Sequence, residues 1–89
     1  LWEFQALAGA GAIRSTVNDL MRYLSAQLGA APKRLRKALL LTQQPTFAQA
    51  GQQIGLGWYR DAKGWHFHNG GTGGFTSFAG FQPEEKAAV

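Results

Sequence analysis

A glycine-rich run between aromatic residues, residues 66–81, sets the strongest limits on the fold. Four of the chain's twelve glycines fall within positions 70–74. Glycine reaches backbone conformations closed to other residues and lets a ligand approach the peptide groups. Aromatic residues, which favour strands, flank these glycines on both sides. The pattern predicts a strand, a glycine-lined bend and a second strand. A simpler interpretation, a hairpin whose glycines only make the turn, fits the spacing equally well.

Length and composition limit the class of protein. At 89 residues the chain is one domain or less, because domains typically have about 100 to 150 residues. A hydrophobic fraction of 45% with 16% charged residues is typical of a globular chain with a thin core. No apolar run approaches the roughly 20 residues of a membrane-spanning helix. The absence of cysteine excludes disulfides and thiolate zinc sites.

Both ends of the sequence are expected to be truncated. The chain begins at Leu1 without an initiator Met or a signal-peptide pattern, and residues 87–89 begin a strand that they do not finish. We expect a single partial domain over residues 1–89, mainly helical over 1–45 and with antiparallel strands over 54–89. A final strand without a partner would leave an exposed edge suited to self-association.

The clearest helix begins near residue 16. Ser15 or Thr16 can cap its N-terminus, and Gly29 can end it. Residues 1–11 before it are interpreted as a short strand or extended arm. Apolar residues recur along the helix at the spacing of one buried stripe, which comprises Val17, Leu20, Met21, Leu24 and Leu28.

The remaining segments predict an α+β fold of two helices followed by an antiparallel meander. Pro32 suits the start of a second helix, and Pro45 ends it or lies soon after its end. The polar residues 43–53 predict a loop. Strands are predicted over residues 54–60, 65–68 and 75–81, with turns at 61–64 and 82–85 and a further strand from residue 87.

Much of the net charge of +4 comes from one cluster, residues 33–37, Lys-Arg-Leu-Arg-Lys. Such a cluster can bind nucleic acid through phosphate groups. A solvated face of one short helix is the more frequent explanation, so no nucleic-acid partner is expected.

The residues alone do not form a complete reaction centre. None of Ser15, Ser25 and Ser77 lies in a Gly-x-Ser-x-Gly elbow or three residues before a lysine. His66 and His68 would share one face of a strand, but a metal needs a third ligand, and the nearby acidic residues Asp61, Glu84 and Glu85 fall in predicted turns. We therefore expect no metal and no other cofactor. Without a metal, His66 and His68 are expected either to have a structural role or to bind substrate.

The order of residues from His68 to Glu84 resembles the third signature segment of class C β-lactamases and of their penicillin-binding-protein and esterase relatives. That segment opens with Lys-Thr-Gly or His-x-Gly, continues through Gly-Gly-Phe and ends in Phe-x-Pro. His68, Asn69 and Gly70 occupy the three signature positions. Two upstream segments also resemble the family, the Ser-Thr-x-x-Asp-Leu helix start at residues 15–20 and Gly-Leu-Gly-Trp at residues 55–58.

The resemblance implies a serine hydrolase that forms acyl-enzymes with amide, lactam or ester substrates in an extracytoplasmic compartment. It assigns substrate binding to His68, Asn69 and Gly70, a catalytic contribution to His68, and an oxyanion-binding backbone N–H to Gly71. The Ser-x-x-Lys and Tyr-x-Asn segments of the family do not occur in these residues. The chain alone is therefore expected to be inactive. The alternative is a non-catalytic fragment or binding module that assembles through its strand edge.

Overall fold

Two α-helices precede a six-stranded antiparallel sheet in the computed structural model, which describes residue 3 and residues 5–89. The strands follow one another across the sheet in chain order, from β1 to β6. This confirms the predicted α+β meander. The elements are a 3₁₀ helix at Gln5–Ala10, α1 at Val17–Gln27, α2 at Lys33–Gln43, β1 at Phe47–Gln49, β2 at Gln52–Ile54, β3 at Tyr59–Arg60, β4 at His66–Thr72, β5 at Phe75–Gln82 and β6 at Ala87–Ala88.

Helix α1 begins and ends where its sequence predicts. The Thr16 side chain caps it by accepting a 3.1 Å hydrogen bond from the Asp19 backbone N–H. Leu28 is the C-terminal cap, and Gly29 follows with a φ of +114°, a left-handed conformation that favours glycine. Thr16 is therefore the cap, and Ser15 is left for another role.

The predicted buried stripe on α1 is wrong for most of its length. Leu24 is 1% exposed and Leu28 is half-buried, whereas Val17 is 75% exposed and Met21 is not a core residue. The helix meets β5 and β6 around Leu24, so its first turns extend beyond the core.

The core is a small cluster of Leu24, Trp58 and Phe81. The Trp58 and Phe81 rings meet edge to face, with centroids 5.0 Å apart. Tyr23 stacks on the other side of Trp58 at 6.2 Å. Aromatic contacts of this kind add stabilisation beyond the burial of area, so three side chains from α1, the β2–β3 connection and β5 hold the helical layer to the sheet.

The two helices are joined by side-chain amides rather than by an apolar seam. Gln27, which is buried, donates to the Tyr23 hydroxyl at 3.0 Å and to Thr42 Oγ1 at 3.3 Å. Gln43 donates to the Gln27 side-chain oxygen at 2.8 Å and to its backbone carbonyl at 3.0 Å. Buried polar groups need such partners, and this network satisfies the amide of Gln27, while α2 itself has no fully buried residue.

Two predictions for the middle of the chain are wrong. Residues 43–53 are not a loop, because β1 and β2 form a hairpin around Ala50 and Gly51, both with positive φ. This hairpin is exposed and is held together by backbone pairing. Neither of its faces needs to be apolar, so its sequence shows no alternation of apolar and polar residues. The strand predicted over residues 54–60 is interrupted after Ile54, where the Gly55 N–H donates to the Trp58 carbonyl at 2.7 Å.

The N-terminal segment also differs from its prediction. Gln5–Ala10 is a 3₁₀ helix and not a strand, while Leu1, Trp2 and Phe4 lie outside the described residues. The turn at residues 61–64 is confirmed, with Asp61 Oδ1 accepting from the backbone N–H groups of Lys63 and Trp65.

Within the described part of the chain, no helix has the length and apolar character needed to cross a membrane.

Candidate functional site

The glycine-rich stretch forms one long hairpin. Strand β4 continues through Gly70 and Gly71 to Thr72, and β5 begins at Phe75. The bend is therefore limited to Gly73 and Gly74, and Gly74 requires glycine because its φ is +83°. The prediction of a bend lined by all four glycines is corrected, since Gly70 and Gly71 are strand residues.

The pairing of β5 determines which way the backbone of β4 faces. Gly80 exchanges two hydrogen bonds with Val89, of 3.0 and 2.9 Å, so its N–H and carbonyl point away from β4. Backbone groups alternate in direction along an antiparallel ladder. With Gly71 opposite Thr76 and Phe67 opposite Gly80, the alternation directs the Gly71 N–H away from β5.

The strand on that side, β3, ends its pairing with β4 at Phe67 opposite Tyr59. Beyond this pair the edge of β4 has no neighbouring strand among the described residues. The backbone N–H of Gly71 is therefore at an open edge, where a ligand can accept a hydrogen bond from it.

A groove of about 470 Å³ lies along the hairpin. One wall comes from the segment before α1, which contributes Gly9, Gly11, Ile13 and Ser15. The opposite wall comes from the hairpin, and it includes all four residues singled out by the sequence resemblance, His68, Asn69, Gly70 and Gly71. The fold therefore brings the predicted site residues together on one concave surface.

Two contacts fix the His68 ring. Its Nδ1 atom lies within hydrogen-bond distance of the Asn69 carbonyl oxygen, and its ring packs against Tyr59 with centroids 5.3 Å apart. A carbonyl oxygen can only accept a hydrogen bond, so Nδ1 carries the proton. In the neutral ring Nε2 is then an acceptor, suited to receive a proton from a ligand. The side chain donates through Nε2 only when the ring is doubly protonated.

A residue with a side chain at position 70 would be crowded by the paired strand. A Cβ atom there would lie 2.7 Å from Ser77 Oγ on the paired strand, closer than real Cβ contacts allow. Position 71 differs, because a Cβ added at Gly71 meets nothing within 4 Å. A side chain at position 70 would therefore crowd the Ser77 hydroxyl, whereas position 71 has room for a Cβ atom.

His66 is separated from the site. It is buried and stacks on Phe81 in the core, whereas His68 is exposed. Residue 3 and residues 5–89 contain no group of three or more histidine and acidic side chains able to hold a metal. The two histidines of the strand thus have different surroundings.

Sequence reasoning missed Ser15 as a groove residue. It was assigned to the helix cap, but Thr16 is the cap and Ser15 lines the groove opposite the hairpin. Ser77, which lies in no nucleophile motif, lines the same groove. Ser15 and Thr16 are adjacent, and only one of them can cap the helix. This was the one signal in the sequence that the other hydroxyl could have a different role.

The helices, the antiparallel sheet and the groove define an α+β protein with a concave surface along one hairpin. The Beta-lactamase family model matches residues 2–89. The chain therefore belongs to the β-lactamase family. Comparison of the chain with curated proteins gives no match, and comparison with solved structures gives none either.

Proposed function

We propose that this chain forms one wall of the acyl-transfer site of a serine hydrolase, and that the nucleophilic serine and its base come from polypeptide outside these 89 residues. The observation that carries the proposal is the groove, which gathers His68, Asn69, Gly70 and Gly71 opposite residues 9–15. Membership of the β-lactamase family supports it.

In this proposal the Gly71 N–H stabilises developing negative charge. The serine oxygen attacks the substrate carbonyl carbon, and the carbonyl oxygen becomes an anion that accepts a hydrogen bond from Gly71. The base proposed to lie outside these residues takes the proton of the attacking serine hydroxyl. As the oxyanion collapses, the bond from the carbonyl carbon to the leaving group breaks, the base gives this proton to the leaving group, and water then hydrolyses the acyl-enzyme. A single oxyanion donor contributes roughly 3 to 4 kcal/mol of transition-state stabilisation.

We assign His68 to proton transfer and substrate contact. Its Nε2 atom accepts a proton in the neutral ring, as derived from the Nδ1 contact with the Asn69 carbonyl. Histidine lacks the permanent positive charge of lysine near neutral pH, which weakens the attraction for a substrate carboxylate. We therefore favour an ester or peptide substrate over a β-lactam. Asn69 offers both a donor and an acceptor, and Gly70 lets substrate lie along the strand edge.

The sharpest test removes one backbone hydrogen-bond donor. Gly71→Pro deletes the N–H at an open strand edge, where proline is tolerated, and Gly71→Ala keeps the N–H in a position with room for a Cβ. We expect a soluble ester or penicillin to shift the amide resonances of residues 68–71 in the wild type and in Gly71→Ala. In Gly71→Pro we expect weaker binding by about tenfold. Equal affinity in both variants would contradict the role of Gly71.

Turnover is a separate test. We expect no hydrolysis of nitrocefin or p-nitrophenyl acetate by the 89-residue chain. Hydrolysis that is abolished by Ser15→Ala or Ser77→Ala would show that the groove contains its own nucleophile. The alternative function, a non-catalytic module that assembles through a strand edge, predicts instead a dimer in light scattering and no ligand-induced shifts at residues 68–71.

A further inference from the structure

Helix α2 concentrates the charge of the whole chain. It contains four basic residues and no acidic residue, and the rest of the chain has five of each. The formal net charge of +4 is thus the charge of this one helix. The one ion pair within 4.0 Å among the described residues, Arg22 with Asp19, lies on α1. No described acidic side chain therefore neutralises α2 at close range.

The face of α2 turned toward the rest of the chain is identified by its contacts. Thr42 and Gln43 bond to Gln27, and Leu39 is half-buried beside them. These positions are three and four residues apart, so they lie on one side of the helix. The opposite side of α2 carries exposed residues, and Leu40 at its margin also lines a small apolar cavity with residues 26–29.

That opposite side has two different halves. Residues three to four positions apart share a helix face, which places Lys33, Lys37, Leu40 and Leu41 on one stripe, with Arg34 beside it. All five are exposed, and Leu40 and Leu41 are 56% and 59% exposed. The stripe is basic in its first two turns and apolar in its last turn. We name these five residues the α2 stripe.

We propose that the α2 stripe binds the surface of an anionic lipid membrane. Lysine and arginine are attracted to acidic headgroups, each strengthening binding about fivefold. Exposed leucines on the same face can enter the boundary between headgroups and acyl chains, as in helices that lie in the membrane plane. The basic residues therefore favour an anionic partner. The adjoining leucines favour lipid over nucleic acid, because nucleic-acid phosphates provide no apolar phase for them to enter.

The α2 stripe and the groove have no residue in common. The groove is lined by residues 9–15 and by the β4–β5 hairpin, and none of its lining residues belongs to α2. The binding surface and the proposed catalytic wall are thus separate parts of the described chain, and this inference does not depend on the proposed function.

The test is sedimentation of the 89-residue chain with lipid vesicles. Vesicles of phosphatidylcholine alone are compared with vesicles containing roughly three parts in ten phosphatidylglycerol, at about 0.05 M and about 0.5 M salt. We expect binding to the anionic vesicles at low salt and at least tenfold weaker binding to the neutral ones. No binding to anionic vesicles, or equal binding to both, would overturn the proposal.

Matched variants separate the stripe from overall charge and hydrophobicity. Lys33→Glu with Lys37→Glu should weaken vesicle binding at least tenfold, whereas Arg14→Glu with Lys63→Glu makes the same charge change elsewhere and should weaken it far less. Leu40→Gln with Leu41→Gln should weaken it several-fold, unlike the control pair Leu7→Gln with Leu56→Gln. Circular dichroism checks that each variant folds.

Nucleic acid is the competing partner. If duplex DNA binds as tightly as anionic vesicles and the Leu40→Gln, Leu41→Gln variant binds DNA and vesicles like the wild type, the stripe is a phosphate-binding surface and the lipid proposal fails. Loss of vesicle binding in the leucine variant, with DNA binding unchanged, supports insertion into lipid.

Discussion

His66 lies flat against Phe81, with ring centroids 4.9 Å apart and ring planes at 8°. Neither nitrogen of the buried imidazole has a hydrogen-bond partner among the described residues. Burial lowers the pKa of His66 from its ordinary value of 6.5, because the charged ring loses its hydration. The Arg60 cation lowers the pKa further.

Three groups act on His66 in the opposite direction. The backbone of Gln43 and of Gly64 and the Asp61 carboxylate each favour the protonated ring, but they do not reverse the lowered pKa. Glu84 lines the small cavity beside His66. The folded chain therefore binds a proton at His66 more weakly than the unfolded chain does.

We predict that the chain loses stability as the pH falls below about 6.5. The unfolded state gains a proton on His66 in this range while the folded state does not, so the free energy of unfolding decreases with decreasing pH. The stabilising contribution is fully present above the unfolded pKa and is lost as the pH falls toward the folded one. Urea midpoints at about pH 7.5 and about pH 5.5 measure the effect.

The control for this prediction is the neighbouring histidine. His66→Phe keeps an aromatic ring against Phe81 and removes the titrating group, so the pH dependence should flatten. His68→Gln, at an exposed position, should keep the dependence of the wild type. A His66→Phe variant with an unchanged pH profile would show that other groups cause it.

Phe81→Ala should remove most of the cohesion between helix and sheet. Phe81 is 0% exposed and contacts Trp58 edge to face, and truncating a buried phenylalanine costs about 3 to 5 kcal/mol. Phe78→Ala is the matched control on the same strand, because Phe78 is 59% exposed. Thermal unfolding followed by circular dichroism should lose its cooperative transition in the first variant and retain it in the second. Similar melting curves for both would contradict the assignment of the core.

Gly55→Ala should be destabilising although it adds one methyl group. The new Cβ would collide with the backbone carbonyl oxygen of Thr42, which also accepts a 3.0 Å hydrogen bond from the Leu56 N–H. Backbone cannot move as a side chain does, so we expect a cost of about 1 to 3 kcal/mol. In Gly9→Ala the added Cβ meets nothing within 4 Å. Chemical denaturation should therefore separate the two variants clearly.

Thr16→Ala should destabilise α1 by about 1 kcal/mol, the usual cost of losing an N-terminal cap. Ser15→Ala should be nearly neutral, because the Ser15 hydroxyl makes only a 3.5 Å contact with the Thr16 carbonyl. The measurement is the urea midpoint of each variant. A larger loss for Ser15→Ala would assign the cap to Ser15 and remove it from the groove.

Local patterns were sufficient to predict several elements. The cap at Thr16, the end of α1 before Gly29, the turn at Asp61 and the β4–β5 hairpin all depend on interactions within a few residues of the chain. Such interactions are encoded by residue type and spacing. The β1–β2 hairpin was missed, because its strands are exposed and paired through the backbone, which leaves no apolar period to read.

Residue patterns predicted the α+β class of fold, and the resemblance to the family pointed to His68, Asn69, Gly70 and Gly71 as candidate site residues. Tertiary structure decided which groups face one another. The hydrogen bonds between Gly80 and Val89 set the direction of the backbone groups along β4 and β5, and this alternation directs the Gly71 N–H to an open edge. The fold also placed Ser15 in the groove. It also buried His66 and left His68 exposed. The physical reason is that strand register and the position of α1 depend on contacts between residues distant in sequence, which no local pattern contains.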